Sequence, residues 1–281
     1  MMKNTKNKIL LLLTISSYNF TKRPDKIDKN SLKNYKHFKM MSYEELKVKR
    51  DELLAQNKKF PAINYVERML DQTKDLNEIR ELRIMLADLY FETEDYPKAQ
   101  KKFAEFKTFY PNHPKTEHAS YKEIESAWLL STSPDRDQTK SHEIIDLANE
   151  FLKNVNYVEK REAVKQIKKE AQVKILCQEI NTIEFYLKDK NTKAVAKRIE
   201  FIKDKFKELI DEKILVIEPI QEYHDAVASG DKTRISKARN DLHTCYSGTC
   251  SLMHDPKLAN KAANTDRSLK PRKAIHYFYV P

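Results

Sequence analysis

Apolar residues recur at helical spacing along most of this chain. Ala99, Phe103 and Phe106 stand at i, i+4 and i+7, which puts them in one stripe on one face of a helix. The same stripe occurs 37 residues earlier at Ala62, Val66 and Met69. It returns at Ile144, Ala148 and Phe151, and again at Val195, Ile199 and Ile202. Another helical segment precedes each stripe, so the pattern predicts helix pairs. Any amphipathic helix carries one such stripe. A series of them predicts an array in which each pair covers the apolar face of the next.

The predicted helices follow from stripe and punctuation. Ser42 caps a first helix reaching to near Asn57, and Glu45 three residues on completes a capping box. A second helix follows Pro61, and Phe60-Pro61 is echoed by Tyr96-Pro97, with proline in the tolerated first turn. A third and fourth helix fill the stretch around Leu86 to Pro111. The fifth runs from about Glu117 to Leu130, and Ser131–Thr139, with Pro134, is a long loop. The sixth covers Ser141–Val155. A long seventh spans Val158–Leu187, with Ala163, Ile167, Ala171, Ile175, Cys177, Ile180 and Ile183 facing inward. The eighth follows Asn191. Glu212–Ala228 and Asp231–His243 make a further, less regular pair, and no stripe follows Pro256.

Leu86, Ala87, Tyr90, Ala99, Phe103, Phe106 and Pro111 also fall at the offsets of the tetratricopeptide (TPR) pattern. Small Ala87 and Ala99 let two helices approach, the aromatics fill the gap, and Pro111 stops the second helix because it lacks an N–H. The expected fold is therefore all-α, a TPR-like α-solenoid of about five helix pairs. Its expected division is a signal-like segment and basic tether over 1–41, a TPR array over 42–210, a C-terminal helix pair over 211–255 and a flexible basic tail over 256–281.

Composition narrows the function. Two glycines, Gly230 and Gly248, cannot build a phosphate-binding loop, a dinucleotide fingerprint or a nucleophile elbow. His142-Glu143 is the nearest thing to an acid–base pair, and both lie at an exposed helix start, where Glu serves the helix dipole. No catalytic residues, cofactor or enzyme activity are expected. The net charge is +11, but residues 1–41 carry +8 and 256–281 carry +5, which leaves 42–255 at about −2. A phosphate-tracking groove needs its charge on the fold, so nucleic acid is not an expected partner. His243, Cys245, Cys250 and His254 have ligand character, but Cys245 and Cys250 are set wide for zinc, and no metal is expected. Those two cysteines read either as free thiols or as a small-loop disulfide. Cys177 reads as a buried helix residue.

The N-terminus opens with Lys3, Lys6 and Lys8 before the apolar run Ile9–Ile15, the layout of a secretory signal. Ser16-Ser17 supplies small residues where cleavage would fall. The run is too short to span a bilayer as a helix. The competing readings are a chance apolar patch, or an internal start at Met40-Met41.

Three stretches together resemble a known family. They are Phe103-Ala104-Glu105-Phe106-Lys107-Thr108-Phe109-Tyr110-Pro111-Asn112-His113-Pro114, the loop Asp135-Arg136-Asp137-Gln138-Thr139, and Phe185-Tyr186-Leu187-Lys188 followed by Val195-Ala196-Lys197-Arg198-Ile199-Glu200. In order and spacing they are similar to the BamD family, the TPR lipoproteins of the outer-membrane β-barrel assembly machinery. The loop is the most specific element, because a generic TPR has no such insertion. The resemblance implies a non-enzymatic scaffold at the periplasmic face of the outer membrane. It implies that N-terminal units meet unfolded barrel proteins and C-terminal units bind the periplasmic domain of the insertase. The chain departs from the family at Leu13-Thr14-Ile15-Ser16-Ser17, where serine stands in place of the lipidated cysteine. Membrane association would then run through partners. The alternative reading is a generic soluble TPR adaptor with another client.

Two sets of partner-binding residues follow. In the first helix of the second unit, Ile84, Asp88 and Phe91 occupy the groove-facing positions, suited to an extended peptide. Phe91 faces either the groove or the core, one residue round from Tyr90. Arg198 matches the family's arginine near the insertase side, where a guanidinium fork can grip a carboxylate. Its competing reading is an ion pair with Glu200 or a neighbour one turn away.

Overall fold

The computed structural model describes residues 37–211 and 217–252. Its elements are α1 (Tyr43–Ala55), α2 (Lys59–Gln72), α3 (Leu76–Glu92), α4 (Tyr96–Phe109), α5 (Thr116–Leu130), α6 (Thr139–Lys153), α7 (Arg161–Lys188), α8 (Thr192–Lys205), α9 (Lys207–Asp211), α10 (Glu218–Ser229) and α11 (Lys232–Leu252). Among the described residues there is no strand. Helices pack mainly on their chain neighbours, with α5 also touching α7, and α10 touching α8 and α7, as a solenoid of helix pairs requires.

The four stripes are the spine of this solenoid. Ala62, Val66, Met69, Ala99, Phe103, Ile144, Ala148, Val195 and Ile202 are all fully buried, and Phe106, Phe151 and Ile199 almost so. They fall into an N-terminal core, a middle core and a C-terminal core. Phe91 packs against both the first and the second, and Ile145 against both the second and the third. These two side chains join the three cores into one continuous layer.

The repeat is also written in the turns. Asn57, Glu94 and Lys190 all adopt the left-handed conformation, at φ 55°, 62° and 57°. In each turn the amide of that residue donates to the carbonyl three back: Leu54 at 2.9 Å, Phe91 at 3.1 Å and Leu187 at 3.1 Å. The next amide in each case donates to the carbonyl five back: Leu53 at 2.8 Å, Tyr90 at 2.9 Å and Tyr186 at 2.9 Å. Gly230, at φ 75°, fills the same place between α10 and α11, where a residue without Cβ carries no strain. Polar caps then start several helices. Ser42 and Glu45 form the predicted capping box, and Asp75, Asp95 and Asn191 accept amide hydrogens at the starts of α3, α4 and α8.

Several expectations need correction. Helix α2 starts at Lys59, two residues before Pro61, because proline is accepted inside the first turn. Helix α7 starts at Arg161, leaving Val158 in the preceding turn. The helix expected over Glu212–Ala228 is α10, which starts only at Glu218, and residues 212–216 lie outside the described set. The short α9 was not anticipated. Helix α11 continues through Cys245, Gly248 and Cys250 to Leu252, so no small loop closes there. Cys245 is a half-buried free thiol whose pKa burial pushes up, with Glu218 adding to the shift. Cys177 is a buried residue of α7, as expected, and it is disulfide-bonded. The segments 1–36 and 253–281 lie outside the described residues, and with them the signal, the basic tail and His254.

Candidate partner-binding surfaces

The first helices of successive pairs lie side by side. His118 Nε2 on α5 pairs with Asp88 Oδ1 on α3 at 2.8 Å. Lys115 Nζ donates to Glu81 at 2.7 Å, and Lys122 Nζ sits 3.9 Å from the centroid of the Phe91 ring. Lys122 also donates to Glu125 at 2.8 Å. Asp88, Phe91, His118, Tyr121, Lys122 and Glu125 are all half-buried, and together they form a shallow surface of mixed charge over aromatic rings. Burial first, then neighbouring Glu125, pushes the Tyr121 hydroxyl above the usual tyrosine range.

Of the three groove positions expected on α3, Ile84 is corrected. It is 2% exposed and belongs to the N-terminal core, because α3 is covered by α2 on one side and α4 on the other. Asp88 stands at the surface, already paired with His118. Phe91 resolves toward the core. Its ring centroid lies 5.5 Å from that of Tyr96 and 6.5 Å from that of Phe103, and Lys122 covers it from the other side. The α5 face of this surface escaped the sequence reading. His118, Tyr121, Lys122 and Glu125 do recur at i, i+3, i+4 and i+7, but a polar stripe is silent in a search for apolar ones.

The TPR positions hold as packing residues with one exception. Leu86, Ala87, Tyr90, Ala99, Phe103 and Phe106 are buried. Tyr90 donates its hydroxyl to Glu67 Oε1 at 2.6 Å across the α2–α3 contact. Pro111 is exposed in the turn after α4, so it acts as a stop and adds nothing to the core.

The loop between α5 and α6 is built around Gln138. This side chain is 4% exposed. Its Nε2 donates to the carbonyls of Ser133 at 2.8 Å and Arg136 at 2.9 Å, and its Oε1 accepts from Ser141 Oγ at 2.8 Å. Thr132 Oγ1 donates to the Asp137 carbonyl at 2.9 Å, and the Asp137 carboxylate accepts from Thr139 Oγ1 at 2.9 Å. Beneath it, buried Lys174 of α7 donates to Ser131 Oγ at 2.6 Å. The bonds fix the loop and leave Asp135, Arg136 and Asp137 exposed at its tip.

Arg198 lies on α8 with its neighbour on another helix. Its Nη1 donates to both carboxylate oxygens of Glu179 on α7, at 3.0 and 2.8 Å, replacing the expected partner Glu200. Glu179 is 9% exposed, whereas the Arg198 side chain is 39% exposed. Glu200 instead pairs with Lys203 at 3.5 Å. Among the described residues no group of three or more His, Cys, Asp or Glu side chains is placed to hold a metal ion. His243 pairs with Glu184 at 3.4 Å.

Stacked helix pairs, a fixed inter-helix loop and half-buried charged surfaces define a TPR-like α-solenoid, a class of protein that works by holding other proteins. A family described as outer membrane lipoprotein (YfiO) matches residues 37–234. The chain belongs to this family. The match covers every helix pair through α10 and the first residues of α11. No curated protein matches the chain. No described helix is long and apolar enough to cross a membrane.

Proposed function

We propose that this chain is a BamD-like scaffold at the periplasmic face of the outer membrane. In this reading it binds the insertase of the β-barrel assembly machinery and holds unfolded barrel proteins, without catalysing a reaction. The observation that carries the reading is the family match over 37–234, in a chain whose Arg198 side chain is 39% exposed on α8. Glu179 engages the guanidinium through Nη1 alone. That bond orients the group while Nε and Nη2 remain donors for a partner's carboxylate, since a guanidinium carries five N–H groups. The client surface is the strip of Asp88, His118, Tyr121 and Lys122 lying over the half-buried Phe91 ring, where mixed polar and aromatic contacts suit an extended segment of varied sequence.

The test is a pull-down of the full chain from a detergent-solubilised envelope. The reading expects the insertase among the captured proteins, and expects Arg198→Lys to reduce its yield while the helical signal stays unchanged. Lysine keeps the charge but loses the fork. Capture of no outer-membrane component, with the chain found in the cytoplasm, favours the soluble adaptor and overturns the proposal.

A further inference from the structure

Nine large apolar side chains are well exposed among the described residues, and five of them share one edge of the solenoid. Met40 (83% exposed) precedes α1, Leu76 (73%) opens α3, Phe109 (59%) closes α4, and Val155 (82%) and Val158 (70%) sit between α6 and α7. Met40 leads into the first pair and the other four lie where one helix pair hands over to the next, and such turns all emerge at the same end of the hairpins. The opposite end carries Phe60 and Phe185.

Hydrogen bonds and a cation–ring contact place neighbouring turns next to one another. Arg68 and Gln72, at the end of α2, donate to the carbonyls of Lys39 and Met41 at 3.0 Å each. The Arg83 guanidinium lies 4.8 Å from the Phe109 ring centroid, and Lys115 reaches back to Glu81. The Lys160 amide donates to Glu117 Oε1 at 3.1 Å. A row of apolar tips therefore runs along the edge, with lysines beside it: Lys39, Lys74, Lys153 and Lys160, and Lys115, which is held by Glu81. The acids there are largely engaged. Asp75 caps α3, Glu81 pairs with Lys115 at 2.7 Å, and Asp71 lies 3.9 Å from Arg68, which leaves Glu44 and Glu159.

From this arrangement we infer that the turn edge rests on a lipid surface bearing anionic headgroups. Single apolar tips separated by polar backbone make poor anchors for a protein partner, which needs a contiguous patch or a pocket for each. A fluid interface accepts isolated tips one by one, and adjacent lysines reach phosphates while their stems lie in the acyl boundary. The inference is independent of insertase or client binding and uses none of the residues assigned to them.

Vesicle flotation of the full chain tests it. The vesicles are phosphatidylethanolamine with a minority of phosphatidylglycerol, compared with phosphatidylcholine alone. The variant Leu76→Ser/Phe109→Ser/Val155→Ser/Val158→Ser is expected to lose at least about tenfold in partitioning to the anionic vesicles. Phe60→Ser/Phe185→Ser, at the opposite end, stays within about twofold. Equal binding by the edge variant means that the basic termini or another face carry the contact, and overturns the inference. A second readout does not depend on that variant's folding. Phe109→Trp should be quenched by brominated acyl chains and Phe60→Trp should not, against the constant background of buried Trp128. An unquenched Trp at 109 also overturns it. Insertase capture by the edge variant stays at the wild-type level, so the two readings fail separately.

Discussion

Arg198 and Glu179 form a bridge between α8 and α7 in which one nitrogen serves both oxygens of a carboxylate that is itself 9% exposed. The bridge means that Arg198 has a structural duty besides any partner it meets. Arg198→Ala strands a nearly buried charge and should cost about 1–2 kcal/mol, between the values of exposed and buried pairs. Arg198→Glu should cost more, because two carboxylates then face each other. The swap Arg198→Glu/Glu179→Arg should recover part of the loss. Urea denaturation of the single and double variants measures the coupling, and additive costs would remove the bridge as a stabilising contact.

A second charged pair makes the stability of the array depend on pH. Glu123 on α5 is 6% exposed, and burial holds its carboxyl above the usual glutamate range, although Lys107 Nζ lies 3.0 Å away and pulls the other way. Burial pushes Lys107 down, but Glu123 and Glu150 together outweigh it and hold the ammonium above the usual lysine range. Lysine therefore stays charged throughout the carboxylate window. For Glu123 the folded pKa exceeds the unfolded one, so its contribution is complete below the usual glutamate pKa and is lost as pH rises through the raised value. Glu123→Gln cannot titrate. Its thermal midpoint relative to wild type should rise as pH increases from about 4, near the usual glutamate pKa, toward neutrality. A relative midpoint that falls over that range contradicts the assignment. Lys107→Met should cost about 3 kcal/mol near neutral pH, since it leaves the buried carboxylate without its nearest cation.

The stripes made the fold readable because burial and spacing agree. Ala62, Val66 and Met69 repeat Ala99, Phe103 and Phe106, and burial selects those positions within α2 and α4. What escaped was governed by something other than apolar period. Asn57, Glu94 and Lys190 share a left-handed turn with no common residue type, because the helix–helix geometry imposes the conformation on whatever side chain stands there. Repeat position puts Ile84 at the groove, whereas burial in the N-terminal core takes it out of reach. Glu179, the partner of Arg198, lies 19 residues away on another helix, beyond the reach of any local spacing rule. The continuation of α11 through Gly248 reflects the same limit, since one glycine weakens a helix without ending it.

The loop before α6 should behave as a rigid projection, not as a mobile linker. Gln138 supplies donors to two loop carbonyls and an acceptor to Ser141. Gln138→Ala removes all three bonds and leaves those groups facing a buried space, for a cost of about 2 kcal/mol. Hydrogen exchange is the direct measure. Residues 132–138 should exchange faster in the variant, while α3 and α4 keep their protection. Unchanged exchange in the loop would mean that its order comes from elsewhere.

Phe91 carries a prediction about cooperativity. Its ring belongs to both the N-terminal and the middle core, and Lys122 closes over it at 3.9 Å. In a solenoid, stability is a sum of unit and interface terms, so a side chain at a junction weakens coupling more than it weakens either unit. Phe103 differs, because it is fully buried within the N-terminal core and its truncation leaves a cavity there. Phe103→Ala should cost about 3–5 kcal/mol as one destabilised transition. Phe91→Ala should cost less and split the denaturation profile, so that α1–α4 and the later helices unfold at different urea concentrations. Pro111→Ala, at an exposed turn, should change stability by no more than about 0.5 kcal/mol, in line with surface substitutions generally. A single sharp transition for Phe91→Ala would mean that contacts such as Lys115–Glu81 and His118–Asp88 suffice to couple the units without the aromatic bridge.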